Sequence, residues 1–192
     1  MSISASQVKE LREMSGVGMM ECKKALVETN GDLQQALDLL RANSSLKAEK
    51  KASRVAADGA VKVAETSSYV SLVEINSETD FAAKDAQFKD FTSTVADYLA
   101  SSQIDSIEVL NEAFDAQRQT LIQSIGENIQ LRRLSTLTIS AGGSIGSYIH
   151  SDARLAALFS LHVDNQDLAK DIAMHVTDTS PRCITSAAKD PE

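Results

Sequence analysis

The stretch VSLVEINSETDFAAKDAQF, Val70–Phe88, sets the architecture of the chain, because the spacing of its apolar residues changes partway along. An alternating pattern predicts a strand that stops at Asn76, and a helical pattern predicts a helix that begins near Ala82. A carboxylate and a phenyl ring, Asp80 and Phe81, lie side by side between the two elements. They have two interpretations: Asp80 caps the helix and Phe81 packs beneath it, or the pair points outward towards a partner.

The plan of this stretch occurs a second time. LVEINSETDFAAKD and FSLHVDNQDLAKDI share a strand, an Asn or Asp turn, an acidic residue followed by an apolar one, Ala-Lys-Asp and the start of a helix. Asp80-Phe81 therefore has a partial counterpart in Asp167-Leu168. The repeat favours a purely structural turn, but only the first copy carries a phenylalanine.

The residues around the two copies predict further strands and helices. AVKVAE and SYVSLVEI predict a β-hairpin, and NIQLRRLSTLTIS predicts a strand followed by a GG turn. SIGSYIHSD and ARLAALFSLHVDN predict two more strands. Helices are expected over about 82–100, over about 109–125 and from about Gln166.

The first 43 residues predict three short helices, with breaks at Gly16 and Gly18 and at the segment TNGD. Paired methionines, Met19 and Met20, stand where the second helix begins, and two consecutive residues cannot both face the core of a bundle. Because methionine adapts to irregular surfaces, the pair is typical of a protein-binding knob.

A basic segment, SSLKAEKKASRVAADG, follows at residues 44–59. Its cations are Lys47, Lys50, Lys51 and Arg54. They suggest either an RNA contact or a solvated helical linker that Gly59 ends, and the linker is the favoured interpretation. The whole chain carries 19 Lys and Arg against 27 Asp and Glu, a net charge of −8 that argues against binding a phosphate backbone.

Composition also bears on location and chemistry. We find no signal peptide and no apolar run near the roughly 20 residues that a membrane helix needs, so we expect a cytoplasmic protein with Cys22 and Cys183 as reduced thiols. The histidines lie in different predicted elements without metal-ligand spacing, at His150, His162 and His175. We therefore expect no metal, no cofactor and no catalytic residues, and a binding protein rather than an enzyme.

Five strings, in this order and spacing, resemble bacterial elongation factor Ts. They are VKELREMSGVGMMECKKALVETNGD, KAEKKASRVAADG, NSETDFAAKDAQF, SIGENIQLRR and GSYIH. The resemblance implies a guanine nucleotide exchange factor for elongation factor Tu, the GTPase that delivers aminoacyl-tRNA to ribosomes. It also implies an α+β fold: a ubiquitin-associated-like three-helix module at 1–43, a helical linker at 44–59, and core subdomains at 60–140 and 141–192.

The resemblance implies roles for individual residues. Contact with the nucleotide-binding domain of the GTPase is implied for Arg12, Met19 and Met20. Intrusion beside the Mg²⁺ site of the GTPase is implied for Thr79, Asp80 and Phe81. Further contacts are implied for a turn and for one histidine: Ile125, Gly126, Glu127 and Asn128, and His150.

Family members often continue with a helical hairpin and further chain, whereas this sequence stops at SAAKDPE. Two interpretations of that stop are open, a fragment or a naturally shorter form, and both predict a partial second subdomain. We expect either self-association, as a homodimer or as a heterotetramer with the GTPase, or a low-temperature unfolding step for residues after about Gly142. Two other functions stay open at this stage. A ubiquitin-associated-type adaptor would use only the first 43 residues, and an RNA-binding protein would use the basic segment.

Overall fold

The computed structural model describes residues 3–183 and divides them into two compact units. The first unit holds residues 3–59, 75–93 and 106–132, and the second holds residues 60–74, 94–105 and 133–183. Across residues 3–183, no helix combines the length and the apolar character needed to cross a membrane.

Helices and strands follow one another in the order of a mixed α+β protein, which confirms the predicted fold class. The helices are α1 Ala5–Ser15, α2 Met19–Glu28, α3 Leu33–Lys51, α4 Asp80–Lys84, α5 Ala86–Ser102, α6 Ile107–Ile125 and α7 Gln166–Thr179. The strands are β1 Asp58–Glu65, β2 Tyr69–Ser77, β3 Gln130–Thr138, β4 Ser144–Ile149 and β5 Ala156–Leu161. One sheet has the order β1-β2-β3, and β4 pairs with β5 in another.

The three N-terminal helices form as predicted. Ser4 and Gln7 form a reciprocal capping box at the start of α1, and Gly16 ends the helix in the left-handed region at φ 68°. Asp32 caps α3 by accepting a hydrogen bond from the Gln35 amide. The helices bury a common core of Val8, Leu11, Val17, Cys22, Ala25, Leu26, Ala36, Leu37 and Leu40.

Two predictions about the basic segment are wrong. The third helix does not stop at residue 43 but continues to Lys51, because Ser44 and Ala48 face inward and extend its buried side. Gly59 does not end a helix, since it lies in β1. Its φ of +136° favours glycine, and a Cβ there would overlap the carbonyl oxygen of Ile75.

The single helix predicted over 82–100 is also wrong, because the chain forms two helices there. Asp85 is extended, at φ −61° and ψ 143°, and separates α4 from α5. Its carboxylate then accepts a hydrogen bond from the Gln87 amide at 2.8 Å and so starts the second helix. The predicted buried stripe of α5 is confirmed at Phe88, Phe91, Val95 and Leu99.

The second unit contains the strands and helix predicted for the C-terminal part of the chain. β4 and β5 pair antiparallel, with Gly146 opposite Phe159, and α7 packs against both strands. Gly146 permits this close packing, because a Cβ there would overlap the backbone of Ala169. Residues 184–192, the end of the predicted second subdomain, lie outside the described residues.

Polar side chains join α2 and α3 to α6 within the first unit. The Glu21 carboxylate accepts hydrogen bonds from Lys47 and from Gln123, and the Ser44 hydroxyl donates to Gln123. Partial burial raises the pKa of Glu21, but these hydrogen bonds and the charge of Lys47 outweigh that effect and hold the pKa below its usual value of 4.5.

We expect the Glu21 pair to make a small, pH-dependent contribution to stability. A carboxylate whose folded-state pKa is depressed stabilises the protein above its unfolded-state pKa, and the contribution is lost as the pH falls through the folded-state value. Because the Glu21 side chain is 39% exposed, the pair is worth about 0.5–1 kcal/mol at neutral pH.

Urea unfolding of the wild type and of Glu21→Gln tests this expectation. The difference in unfolding free energy should be present at pH 7 and should shrink progressively below about pH 4.5. Glu13→Gln is the matched control, since among the described residues the ion pair of Glu13 is the exposed one with Lys9 at 3.8 Å. A Glu21→Gln difference that stays constant down to pH 3 would contradict the expectation.

Candidate functional site

The cap of α4 is not Asp80, the residue that the first interpretation of the turn between β2 and α4 required. Thr79, not Asp80, caps α4, because the Thr79 hydroxyl accepts a hydrogen bond from the Ala82 amide at 3.3 Å. Asp80 is the first residue of the helix, where a carboxylate interacts favourably with the helix dipole. Lys84 donates to it at 2.7 Å and lowers the pKa of Asp80.

Phe81 does not pack beneath its helix. Its side chain is 80% exposed, whereas the neighbouring Ala82 is buried. The interpretation in which the ring is a hydrophobic staple is therefore wrong for the free chain. An aromatic ring exposed at a fixed turn is suited to insertion into a pocket of another protein, where buried aromatic side chains contribute most to binding.

The connector between α6 and β3 reaches this turn. Gly126 ends α6 in the left-handed region at φ 89°. The next residue, Glu127, uses both carboxylate oxygens: the Thr79 amide donates to one at 2.9 Å, and the Thr79 hydroxyl donates to the other at 2.7 Å. Among the predicted contact residues at 125–128, Glu127 therefore contacts the Thr79 turn directly. Ile125 is half-buried at the end of α6.

Asn128 lies inside the first unit, with 1% of its surface exposed. Its backbone amide donates to the Glu78 carboxylate at 2.6 Å, and its side-chain amide donates to the Arg54 carbonyl at 2.8 Å. Arg54 in turn pairs with Glu78 at 3.5 Å. Asn128 thus joins three segments of chain behind the turn that carries Phe81.

The methionine pair lies at the start of α2, as predicted. Gly18 occupies the N-cap position and has no side chain that could cap the helix. Met19 and Met20 are the first two helical residues. Both side chains are exposed, and Met20 is 67% exposed. Arg12 is exposed in the last turn of α1. These residues belong to the same unit as Phe81.

His150, another predicted contact, belongs to the second unit and follows β4. It is exposed, and its Nδ1 lies 3.0 Å from the Asp152 carboxylate. The Arg154 amide is the main cause of a lowered pKa at Asp152, and His150 adds to the effect. The described contacts of His150 lie within its own turn, where its amide donates to the Leu155 carbonyl at 2.8 Å.

Two of the four cations of the basic segment pair with nearby carboxylates. Lys47 pairs with Glu21, and Arg54 pairs with Glu78. Burial is the main cause of a lowered pKa at Lys51. An RNA contact needs cations that are free to displace counterions from phosphates, so the pairing of Lys47 and Arg54 weakens the RNA interpretation.

The second copy of the repeat is offset from the first. Asn165 caps α7 by accepting a hydrogen bond from the Leu168 amide at 3.0 Å, which makes Leu168 the third helical residue. Phe81 is the second residue after its own cap, Thr79. Leu168 is also less exposed than Phe81, at 43%. The two side chains therefore do not occupy equivalent positions.

The sequence interpretation missed the roles of Glu78 and Arg54. The sequence does contain a signal for Glu78, because this carboxylate directly precedes the Thr79 cap. What it contacts could not be predicted, because its partner Asn128 lies 50 residues further along the chain.

Comparisons with known proteins match one family along nearly the whole chain. Residues 78–192 match the family described as Elongation factor TS. A curated relative named Elongation factor Ts from Saccharophagus degradans is 50% identical over 190 residues, covering 97% of this chain and 65% of the relative. Proteins of the same name from Teredinibacter turnerae and Escherichia coli O139:H28 are 49% and 44% identical, covering 96% and 95% of this chain.

The chain spans about 65% of the length of the curated relatives that it matches. The family match nevertheless covers more than half of the chain and includes the Thr79–Phe81 turn, the Glu127 connector and His150. This chain belongs to the elongation factor Ts family.

Proposed function

We propose that the chain is a guanine nucleotide exchange factor that binds the GDP form of elongation factor Tu and promotes GDP release. The observation that carries this proposal is the exposed Phe81 ring, which lies next to the Asp80 carboxylate. The turn that presents the ring is held by the hydrogen bond from the Thr79 amide to Glu127. Membership of the elongation factor Ts family supports the same function. Such a factor supports translation elongation and needs no catalytic acid or base.

The proposed mechanism acts on the Mg²⁺ and phosphate site of the GTPase. Mg²⁺ requires near-ideal octahedral geometry and tolerates displaced ligands poorly. The Phe81 ring acts as a wedge beside that site, and Asp80 brings a negative charge close to the phosphates and the ion. Since GDP and the factor then weaken each other's binding reciprocally, the nucleotide-free complex forms and GDP leaves.

Docking and displacement are separate tasks in this proposal. Met19 and Met20, with Arg12, hold the nucleotide-binding domain of the GTPase, while the Phe81 turn disturbs its Mg²⁺ site. The exposure of Met20 at the start of a well-packed helix supports a docking role, because its loss would leave the helical core intact.

Stopped-flow release of fluorescent GDP from elongation factor Tu tests the proposal. The observed rate should rise with the concentration of the chain and then saturate. An adaptor that uses only the N-terminal helices would bind the GTPase without changing the rate, and that result would contradict the proposal. Binding of RNA with a steep dependence on salt would favour the RNA interpretation instead.

A further inference from the structure

We infer that Glu127 is a positioning residue, which together with Glu78 clasps the turn that presents Phe81, and that it does not contact the partner directly. The inference rests on the proposed exchange function and changes the role that the family resemblance implies for Glu127. In the free chain, Glu127 fixes the turn so that the Phe81 ring is already in position before the GTPase binds.

The clasp consists of reciprocal hydrogen bonds between two connectors, the turn between β2 and α4 and the segment between α6 and β3. Glu78, before α4, accepts from the backbone amide of Asn128 at 2.6 Å. Glu127, before β3, accepts from the backbone amide of Thr79 at 2.9 Å. Each connector thus supplies a carboxylate to an amide of the other. Hydrogen bonds to an ionised acceptor are stronger than neutral ones, so the pair fixes the spacing of the connectors.

The clasp extends to the helix that carries the ring. The Thr79 hydroxyl donates to Glu127 at 2.7 Å and accepts from the Ala82 amide at 3.3 Å. Glu127 therefore orients the side chain that caps α4. Because α4 has only five residues, it is too short to be stable by itself, and its first turn depends on this cap.

Phe81 depends on the backbone for its position, because its exposed ring has little packing of its own. A side chain that is not fixed by packing points where its Cα–Cβ bond points, and in α4 that direction is set by the first helical turn. Loosening Glu127 would therefore spread the ring over more orientations. Binding then carries an added entropy cost of ordering the ring.

Glu127 itself is poorly placed for a partner contact. It is half-buried, and both of its carboxylate oxygens already accept hydrogen bonds from Thr79. A partner would therefore have to share oxygens that already orient the turn. The geometry thus favours a role behind the wedge over a role at the interface.

Glu127→Ala in the full chain, tested with GDP-bound elongation factor Tu, should slow the saturated rate of GDP release about tenfold. In a Phe81→Ala background the same change should slow release less than about twofold, because the residue that Glu127 orients is already gone. Glu127→Gln, which keeps one acceptor oxygen, should fall between wild type and Glu127→Ala. It also keeps the test valid if the alanine variant folds poorly.

Glu108→Ala is the matched control. Glu108 accepts a hydrogen bond from Ser106, the residue that caps α6, at 2.7 Å, and Ser106 accepts from the Val109 amide at 3.3 Å. Glu108 thus reproduces the contact between a glutamate and the hydroxyl of a helix cap, without the backbone amide bond that Glu127 also accepts, on a helix that does not carry Phe81. Glu108→Ala should lower the melting temperature less than Glu127→Ala and leave GDP release unchanged.

Amide hydrogen exchange in the free chain provides a readout that does not involve the GTPase. The Thr79 and Ala82 amides should exchange faster in Glu127→Ala than in the wild type. Equal effects of Glu127→Ala with and without Phe81 would overturn the inference, as would unchanged Thr79 protection. A wild type that leaves GDP release unaltered would instead refute the proposed function, and the Thr79 amide would still show whether the clasp exists.

Discussion

Phe81→Ala is expected to slow GDP release from elongation factor Tu by about 30- to 150-fold. Burying a phenyl ring in a partner is worth ~2–3 kcal/mol, and each ~1.4 kcal/mol lost from the transition state slows the reaction tenfold. The free chain should lose less than about 0.5 kcal/mol of stability, because the ring is already 80% exposed. Melting temperature and the saturated release rate, measured on the same preparation, separate the two effects.

Val109→Ala is the control for Phe81→Ala. Val109 is 48% exposed in the first turn of α6, in the same unit, and its replacement should leave both the melting temperature and the release rate nearly unchanged. Leu168→Ala, in the partial counterpart of the turn, should likewise leave the rate intact. The wedge is refuted if Phe81→Ala unfolds readily while its folded fraction promotes exchange normally.

The second large effect is expected at the methionine pair. Replacing Met19 and Met20 together with aspartate should weaken the complex with elongation factor Tu by ~2–4 kcal/mol, about 30- to 1,000-fold in Kd, if both are buried on binding. The helix should remain, because acidic residues in its first turn interact favourably with the helix dipole. Isothermal titration gives the affinity, and circular dichroism gives the helix content.

Val27→Asp provides the comparison for the methionine variant. Val27 is exposed near the other end of α2, so its replacement should leave the affinity unchanged and lower stability only slightly. A methionine variant that loses helix content would show that these side chains belong to the core. Docking through this surface would then be wrong.

The strand-to-helix turn could be predicted from sequence because it depends on neighbours. The change of period after Asn76 and the apolar stripe from Phe88 are local signals, and both describe the structure. The identity of the cap could not be predicted, since Thr79 and Asp80 are both good capping residues. Their choice depends on Glu127, which lies 48 residues beyond Thr79 in the sequence.

The two errors in helix length have different physical origins. α3 passes residue 43 because Ser44 and Ala48 are buried, and such small residues give little hydrophobic signal. α4 and α5 separate at Asp85, a residue that a helical pattern tolerates but that here caps the next helix. Tertiary burial therefore explains the first error, and a local capping bond explains the second.

In the proposed mechanism, GDP and this chain weaken each other's binding to elongation factor Tu. The most direct test measures the affinity of elongation factor Tu for GDP at increasing concentrations of this chain. The apparent Kd for GDP should rise and then level off, and the chain should bind the nucleotide-free GTPase more tightly than the GDP form by the same factor. Chelating Mg²⁺ should reduce that factor if, as proposed, the wedge acts on the Mg²⁺ site. A GDP affinity that stays constant while the chain is bound would contradict the account.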